Sequence, residues 1–440
     1  MSTNLSPLGK RLRRHRLPVT LLIGAGVLMS KAALAGGAMG YEIGTADVGL
    51  ASAGWGARAQ DASTIFTNVA GMTRLDGDQA LGGLEVLYGN VTYSPTQSTV
   101  SPGLGTDDGG NAVGWFGGAG GFYTHSYSHD LKFGIGIGGN LGAKLSYDQN
   151  WIGRYYDRSI TLIGLNILPS VAYRVNDQWS VGMSVNAMPT KLKMQTAINN
   201  LIGPDGQLEY KDTQTGWGFD LGLLYELSSS TRVGFTWNSQ VQLGFNDKPS
   251  FTGLGPLIST VIANRGLTTQ NLGIDLNIPQ QFMLSGFTQL NDKVALLASV
   301  GWQEWSKLGL IGISVDSSNP RTVETNIPFE NTWHGALGAQ IALDHGWMLN
   351  TGLAYDSKFQ HHIIAPILPL NDGWRLGVGA ETELRKGLRW GLAADCVYGG
   401  SNDFSVQKPV PVILGGRGSF SGTYSNEYIV YVASYLSWKF

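Results

Sequence analysis

Large apolar side chains occupy every second position in the final segment of the chain. Phe440, Trp438 and Leu436 share one face of this segment with Val432 and Val430, while the other face carries mixed side chains. Side chains alternate across a β-strand, so the pattern predicts a strand with one apolar face. Similar segments recur along nearly the whole chain and end on an aromatic residue. We therefore expect these apolar faces to contact lipid.

Polar connections separate the alternating segments, and they are short and long in turn. Six short turns and seven long loops separate about fourteen predicted strands. The turns lie at residues 126–130, 176–178, 228–230, 291–292, 344–345 and 385–387, and the loops near residues 96–112, 146–159, 196–214, 246–276, 307–326, 358–371 and 400–424. The predicted fold is all-β, a transmembrane antiparallel β-barrel of about 14 strands with short periplasmic turns and long outer loops. The alternative is a soluble β-sandwich.

Composition favours the membrane barrel. Only 14% of the 440 residues are charged, whereas soluble proteins average about 25%. The net charge of −2 gives no reason to expect a nucleic-acid partner. The single cysteine, Cys396, excludes an internal disulfide framework, and its phase within the alternation predicts a lipid-facing position.

The first residues have the pattern of a secretory signal. Basic residues 10–16 precede an apolar stretch at residues 17–29, and Ala33-Leu34-Ala35 then supplies an A-x-A cleavage site. The alternative is an uncleaved anchor, but about 13 apolar residues are too few to span a bilayer. We expect residues 1–35 to be removed and the protein to reside in the outer membrane of a Gram-negative bacterium.

Residues 36–78 show no strand alternation and are rich in Gly and Ala. A segment of this length cannot hold a core of its own. A barrel of about fourteen strands encloses space that must be filled or left wet. We therefore predict that residues 36–78 form a hatch that plugs the lumen of a barrel comprising residues 79–440. The alternative is a periplasmic extension.

Several short motifs resemble those of the FadL/TodX-type outer-membrane transporters. They are DASTIFTNVAGM at residues 61–72, SVAYR at 170–174, GWG at 216–218, IPQ at 278–280, GWQEWS at 301–306 and LPLNDGWR at 368–375. The resemblance implies a 14-stranded barrel with an N-terminal hatch, acting as a monomer on long-chain fatty acids or hydrocarbons. The family's hatch carries Asn-Pro-Ala where this chain has Asn68, Val69 and Ala70. Without proline the local φ angle is not locked.

The resemblance also implies a mechanism. Substrate enters between the outer loops and leaves through an opening in the barrel wall, beside a kinked third strand. Diffusion down a gradient is the simplest scheme, with no enzyme activity, no cofactor and no metal. The expected partners are a hydrophobic small molecule, outer-membrane lipid and lipopolysaccharide. We also expect the barrel assembly machinery to recognise the C-terminal Phe440.

Two predicted outer loops carry apolar residues that suggest an extracellular groove. The candidate groove residues are Met194, Ile198 and Leu201 from the first loop and Phe251, Leu254, Leu257, Ile258, Val261 and Ile262 from the second. Positions 254–262 have the spacing of an apolar helix face. An exposed apolar face is costly in water, so this face either binds substrate or packs on the barrel rim.

The third predicted strand suggests the wall opening. Its outward positions carry Phe133, Ile135, Ile137 and Leu141, and its inward positions are mostly glycine. Glycine permits a bulge, so we place the kink at Gly138, Gly139 and Asn140. The alternative is that these glycines only let the hatch pack closely.

Other interpretations stay open. A water-filled porin or an outer-membrane hydrolase would share the barrel, and the substrate could be a fatty acid, an aromatic hydrocarbon, an alkane or a terpene. Arginine binds carboxylates well, so three arginines are candidates for a fatty acid head group: Arg154, Arg158 and Arg174. His361 and His362 lie in a polar loop without spaced acidic partners, which favours a solvated pair over a metal site.

Overall fold

The computed structural model describes residues 39–440, except residues 309–310, 316–321, 327–328, 359, 361–368, 370–371 and 409. The predicted signal peptide, residues 1–35, lies outside the described residues. The division of the chain into signal peptide, hatch and barrel therefore stays a prediction. Among the described residues, no helix has the length and apolar character needed to cross a membrane.

Fourteen antiparallel strands pair into a closed ring, which confirms the predicted barrel. The strands in chain order are β1 Gln79–Pro95, β2 Gly114–Ser126, β3 Leu131–Ser146, β4 Ser159–Arg174, β5 Trp179–Ile198, β6 Gly206–Glu226, β7 Thr231–Asn238, β8 Val241–Asp247, β9 Ser250–Thr252, β10 Leu272–Ile278, β11 Gln281–Asn291, β12 Val294–Gln303, β13 Ile311–Val315, β14 Thr322–Asn326, β15 Thr332–Ala342, β16 Trp347–Asp356, β17 Gly373–Arg385, β18 Leu388–Val406 and β19 Phe420–Lys439. The ring contains β1 to β7, β11, β12 and β15 to β19, and β1 closes it by pairing with β19.

The remaining strands lie in the connections between ring strands. β8 pairs with β10, β13 pairs with β14, and β9 adds to the end of β6. The helices are α1 Thr64–Thr67 and α2 Pro256–Asn264, and short 3-10 turns span Ala46–Leu50, Val69–Arg74, Gln97–Thr99, Trp305–Lys307, Asp344–Gly346 and Val412–Leu414.

The two faces of the barrel follow the sequence alternation. In β19, Leu436 and Trp438 are 48% and 47% exposed on the outer face, whereas Ala433 and Tyr435 are buried inside. Cys396 is a free, exposed thiol on the outer face. Exposed apolar side chains in this alternating order are what a lipid-facing barrel surface requires.

The six short turns lie between paired strands as predicted, but two long loops are shorter than predicted. Pairing of β5 with β6 continues to Ile198 opposite Gly206, so most of residues 196–214 are strand. β18 and β19 likewise reach Val406 and Phe420, into the predicted loop at residues 400–424. Polar pairs such as Lys193 with Glu209, 3.1 Å apart, occupy these strand ends. The polar side chains predicted a loop there, but the backbone pairing between the two strands continues through them.

The hatch, defined here as residues 39–78, is almost completely buried and contacts inward side chains of many strands. Its backbone and side chains form hydrogen bonds with β5, β6, β11, β12 and β15: Thr73 with Ser180 (2.8 Å), Asn68 with the carbonyl of Leu223 (2.9 Å), Gly56 with Ser285 (2.9 Å), Gly54 with Ser299 (2.9 Å) and Ser52 with His334 (3.0 Å). Because these strands lie in different sectors of the ring, the contacts place the hatch in the lumen.

A buried ion cluster holds the hatch together internally. The Arg58 guanidinium lies 2.9 Å from Asp47 and 2.7 Å from Asp61, and Ser63 donates to the Asp61 carboxylate. Burial alone would raise the pKa of Asp61, but the Arg58 charge and hydrogen bonds outweigh it and hold that pKa below its ordinary value. The carboxylate therefore stays ionised, and the cluster fixes the fold of this short segment.

Inward glycines let the hatch backbone approach the barrel wall. A Cβ atom on Gly83, Gly234 or Gly352 would overlap a carbonyl oxygen of the hatch. The oxygen facing Gly352 belongs to Leu50. Any larger residue at these positions must displace the hatch or the strand.

The variant Gly352→Ala should reduce the free energy of unfolding by about 1–3 kcal/mol, because overpacking a filled interior forces the backbone apart. The matched control is Gly335→Ala on the neighbouring strand, where an added Cβ meets no atom within 4 Å. Urea unfolding in lipid vesicles, followed by tryptophan fluorescence, measures both variants. Equal stability of the two would contradict the close packing of the hatch.

Candidate functional site

The barrel wall is incompletely paired between β2 and β3. β2 pairs with β1 from Gly114 to Thr124, but with β3 only from Gly121 to Ser126. Beyond that point β3 keeps its ladder with β4, and its other edge makes an isolated bridge from Leu141 to Met39 of the hatch. We call the space between residues 114–120 of β2 and residues 138–146 of β3 the wall gap.

A β-bulge in β3 borders the wall gap. Gly138 pairs with Asn166 and Leu141 pairs with Gly164, so β3 has one residue more than β4 over this interval. The predicted kink residues Gly138, Gly139 and Asn140 lie at this bulge. The Asn166 side chain donates to the Asn140 side chain over 3.0 Å, which ties the bulge to β4.

The bulge corrects one prediction about β3. Ile137, before the bulge, faces outward as predicted and is 44% exposed. Leu141, after it, is only 2% exposed, so the prediction that Leu141 faces outward is wrong. An extra residue shifts the phase of the alternation and moves the following side chains to the opposite face.

A cavity of about 240 Å³ lies at the wall gap. The hatch, β1 to β4 and β19 contribute its lining, which includes Gly40, Glu42, Glu85, Leu87, Phe116, Gly118, Asn140, Leu141, Ile163 and Tyr431. Gly118 pairs directly with Glu85, so both point into the barrel. A Cβ atom on Gly118 would meet no atom within 4 Å. The side chains that line the cavity are therefore mostly small or apolar, apart from two carboxyl groups, one asparagine and the Tyr431 hydroxyl.

Sequence reasoning missed both carboxyl groups. Glu85 accepts a hydrogen bond from the backbone N–H of Gly44 over 3.2 Å, and Glu42 pairs with Arg375. Glu85 follows Leu81 and Gly83 at an inward position of an otherwise uncharged stretch, and that isolated charge was an available signal. Glu42 lies in the hatch, where no periodicity assigns a face.

A buried charge network extends inward from Glu42. Arg375 also lies 2.9 Å from Asp395 and 3.5 Å from Asp356, and Asp356 lies 2.6 Å from the ring of His334. These inward charges pair both with one another and with the hatch. The network joins four barrel strands, β15 to β18, to the hatch.

The predicted groove residues lie in and around one large apolar cluster at the outer end of the barrel. Met194, Ile198, Ile258 and Ile262 are buried members of it, and Phe251 and Leu254 pack against it. Met194 and Ile198 belong to β5 rather than to a loop, because the β5–β6 ladder extends outward.

Helix α2 forms where the apolar spacing predicted it. Ile258 and Ile262 face the cluster, whereas Leu257 is 61% exposed and Val261 is half-buried. Leu201, in the connection between β5 and β6, is 38% exposed. The predicted groove residues therefore divide into a buried set beneath α2 and a smaller exposed set. A role in binding substrate stays a prediction.

Two of the three candidate arginines line an outer cleft of about 450 Å³. Arg154 lies 2.7 Å from Asp205, and Arg158 donates to Gln195 over 2.9 Å. Arg174 lies instead at the opposite end of the barrel, where it donates to the carbonyl of Thr73 in the hatch. His361 and His362 lie outside the described residues.

The hatch motif is held by its asparagine. The Asn68 side chain accepts from the N–H of Ala70 over 3.1 Å and donates to the carbonyl of Gly56 over 2.6 Å. This caps the 3-10 turn Val69–Arg74. Val69 is 2% exposed. Hydrogen bonds from Asn68 thus fix the turn at the place where proline is absent.

Asp157, in the loop between β3 and β4, is a buried carboxyl group. It is 2% exposed, and neither carboxyl oxygen has a hydrogen-bond partner among the residues that the structure describes. Burial raises the pKa of Asp157 to about 7.

Comparison with known proteins gives a family match over most of the chain. The family model described as outer membrane protein transport protein (OMPP1/FadL/TodX) matches residues 26–431. Outer membrane protein P1 of Haemophilus influenzae is 27% identical over 409 residues, covering 84% of this chain and 87% of the relative. The long-chain fatty acid transport protein of Escherichia coli is 25% identical over 369 residues, covering 75% of this chain and 79% of the relative.

Solved structures share the fold. A FadL homologue of Pseudomonas aeruginosa has a TM-score of 0.80 at 21% identity, covering 92% of this chain and all of that one. The toluene transporter TodX of P. putida has a TM-score of 0.63 at 17% identity, covering 92% of this chain and 99% of the TodX chain.

The variant Asp157→Asn should flatten the pH dependence of stability. The ordinary pKa of an aspartate, 3.8, lies below the folded-state value of about 7. The folded protein therefore retains a proton that the unfolded chain releases, and wild-type stability falls as the pH rises from about 4 to about 7. Thermal unfolding across this range in detergent measures the slope. Asp148→Asn, exposed in the same loop, is the control and should keep the wild-type slope. An unchanged slope for Asp157→Asn would contradict the prediction.

Proposed function

The chain belongs to the outer membrane transport protein family OMPP1/FadL/TodX, and from this premise we propose that it carries long-chain fatty acids across the outer membrane by passive diffusion. Its relatives are transport proteins and channels of the outer membrane rather than enzymes. The protein is accordingly a multi-pass outer-membrane transporter of hydrophobic compounds. The substrate, the route and the diffusive mechanism are the proposal.

The wall gap carries the proposed route. Its cavity of about 240 Å³ reaches from the hatch to the β2–β3 discontinuity. On the outer face, an apolar hollow of about 450 Å³ lies beside it, lined by Val86, Tyr88, Trp115, Val430 and Val432. Val86 and Trp115 are 49% and 69% exposed there. A hydrophobic molecule leaving the barrel through the gap would meet apolar surface on the lipid side.

The outer end supports an amphipathic substrate. The cluster beneath α2 offers apolar surface for an acyl chain, and the nearby cleft holds Arg154 and Arg158. Arginine suits a carboxylate because its guanidinium can donate two parallel hydrogen bonds. Substrate would first meet the cleft and the exposed groove residues, then the interior cluster, and finally the wall gap.

Two alternatives make different predictions. A water-filled porin needs an open bore, whereas here the hatch forms hydrogen bonds across the lumen. A hydrocarbon transporter, as for TodX, would use the same wall gap without needing an arginine cleft. Native mass spectrometry of the purified protein distinguishes these cases, since a retained fatty acid supports the proposal and a retained hydrocarbon favours the alternative. Planar bilayers would show high ion conductance for a porin.

The variant Gly118→Phe tests the route. The phenyl ring would extend into the cavity from an inward position with free space, so uptake of labelled oleate should fall close to that of a host without the transporter. Gly121→Phe is the matched control on the same strand, at an outward position that is also free within 4 Å. It should transport normally. Normal oleate uptake by a folded Gly118→Phe barrel would rule out the wall gap as the route.

A further inference from the structure

The charge lining the wall gap has one sign. Glu42 and Glu85 are the charged side chains that line its cavity, and no basic residue is among the described lining residues. Glu42 is neutralised from behind by Arg375. Glu85 has only the N–H of Gly44 as a polar partner and forms no ion pair with a basic side chain in the described part of the chain.

The position of Glu85 puts it beside anything that crosses the gap. It lies on the inward face of β1, directly opposite Gly118, and the open space over Gly118 continues the cavity at that point. The other nearby lining groups are apolar or small, for example Leu87 and Phe116. A carboxylate crossing here would stand next to the Glu85 carboxyl group in an apolar setting.

Two carboxyl groups that share a low-dielectric site do not both ionise, because each charge disfavours the other. The pair then retains a proton, either on the substrate or on the protein. A neutral head group meets no such requirement. The effect of Glu85 on passage therefore depends on whether the head group is a titratable acid.

We propose that Glu85 makes passage of a carboxylic acid through the wall gap require a proton, whereas uncharged amphiphiles pass without one. This inference rests on the proposed function. The proton binds to the substrate or to Glu85 as the head group enters the gap, and it returns to water once the head group has passed. No bond other than O–H forms or breaks, and no co-reactant is needed.

The groups that face Glu85 come from every element packed against it. The hatch contributes Glu42, β19 contributes Tyr431, and β18 contributes Asp395. Behind these lie Arg375 of β17, Asp356 of β16 and His334 of β15. The described lining residues of β2, β3 and β4 carry no titratable side chain. Arg375 is committed to three carboxylates, so it does not supply the charge that Glu85 lacks.

The test compares an acid with an uncharged amphiphile of the same chain length. Cells that lack their own transporter express the full-length wild type or Glu85→Gln, and initial uptake of labelled oleate and labelled oleyl alcohol is measured at pH 6 and pH 8. Each rate is corrected for the host without the protein. The ratio of the oleate rate to the alcohol rate is then compared between proteins, which cancels the pH behaviour of oleate itself.

For the wild type, this ratio should fall between pH 6 and pH 8. The fall should be at least about threefold larger than the fall for Glu85→Gln, since one pH unit changes a proton occupancy by up to tenfold. The alcohol rate should depend on pH to the same extent in both proteins. The matched control is Glu381→Gln, the same substitution at a lumen carboxyl group that pairs with Arg389 rather than lining the gap. It should behave as the wild type.

Equal pH dependence of the ratio in wild type and Glu85→Gln would overturn the inference while leaving the proposed function intact. Failure of the wild type to take up either compound faster than the host would overturn both.

Heat-modifiable electrophoretic mobility checks that each barrel is folded. If Glu85→Gln does not fold, Gly118→Asp, which adds a carboxyl group opposite Glu85, must selectively reduce oleate uptake at pH 8. An equal loss of alcohol uptake in that variant would contradict the proposal.

Discussion

Backbone hydrogen bonding in a medium without water constrains everything else in this structure. Peptide groups inside a bilayer must find partners within the protein, so the sheet closes on itself through β1 and β19. The ladder between β2 and β3 is the exception. There the hatch approaches the strand: the N–H of Gly40 donates to the carbonyl of Asn140 over 2.8 Å, and Met39 bridges to Leu141. The wall gap and the hatch are thus one structural unit, since the hatch supplies backbone contacts at the bulge.

Sequence alternation was sufficient to predict the barrel because lipid imposes a strict period of two on every strand. Leu436 and Trp438 face outward for this reason, and the turn residues marked the short connections. The same rule failed at two places, each for its own reason. The outer end of the β5–β6 hairpin carries polar pairs such as Lys193 with Glu209, and this polarity predicted a loop. The bulge at residues 138–140 shifted the phase and placed Leu141 inside.

The candidate site was only partly predictable. Glycines in β3 indicated the position of the bulge, and apolar spacing indicated α2. Glu42 could not be assigned, because its position depends on how an irregular segment folds against Arg375. Long-range pairs of this kind have no local pattern. Individual hydrogen bonds contribute about 0.5–1.5 kcal/mol each, so the hatch is held by the sum of many such contacts. Its first described residue, Met39, also belongs to the apolar cluster beneath α2.

The glycine contacts of the hatch bear on how the molecule is made. Carbonyl groups of the hatch seat against Gly83 of β1, Gly234 of β7 and Gly352 of β16, which are spread around the ring. A segment that touches several walls at once reaches all of these contacts only when the strands that carry them have come together. Seating of the hatch and closure of the ring through β1 and β19 are therefore coupled, because the interior is complete only when both have formed.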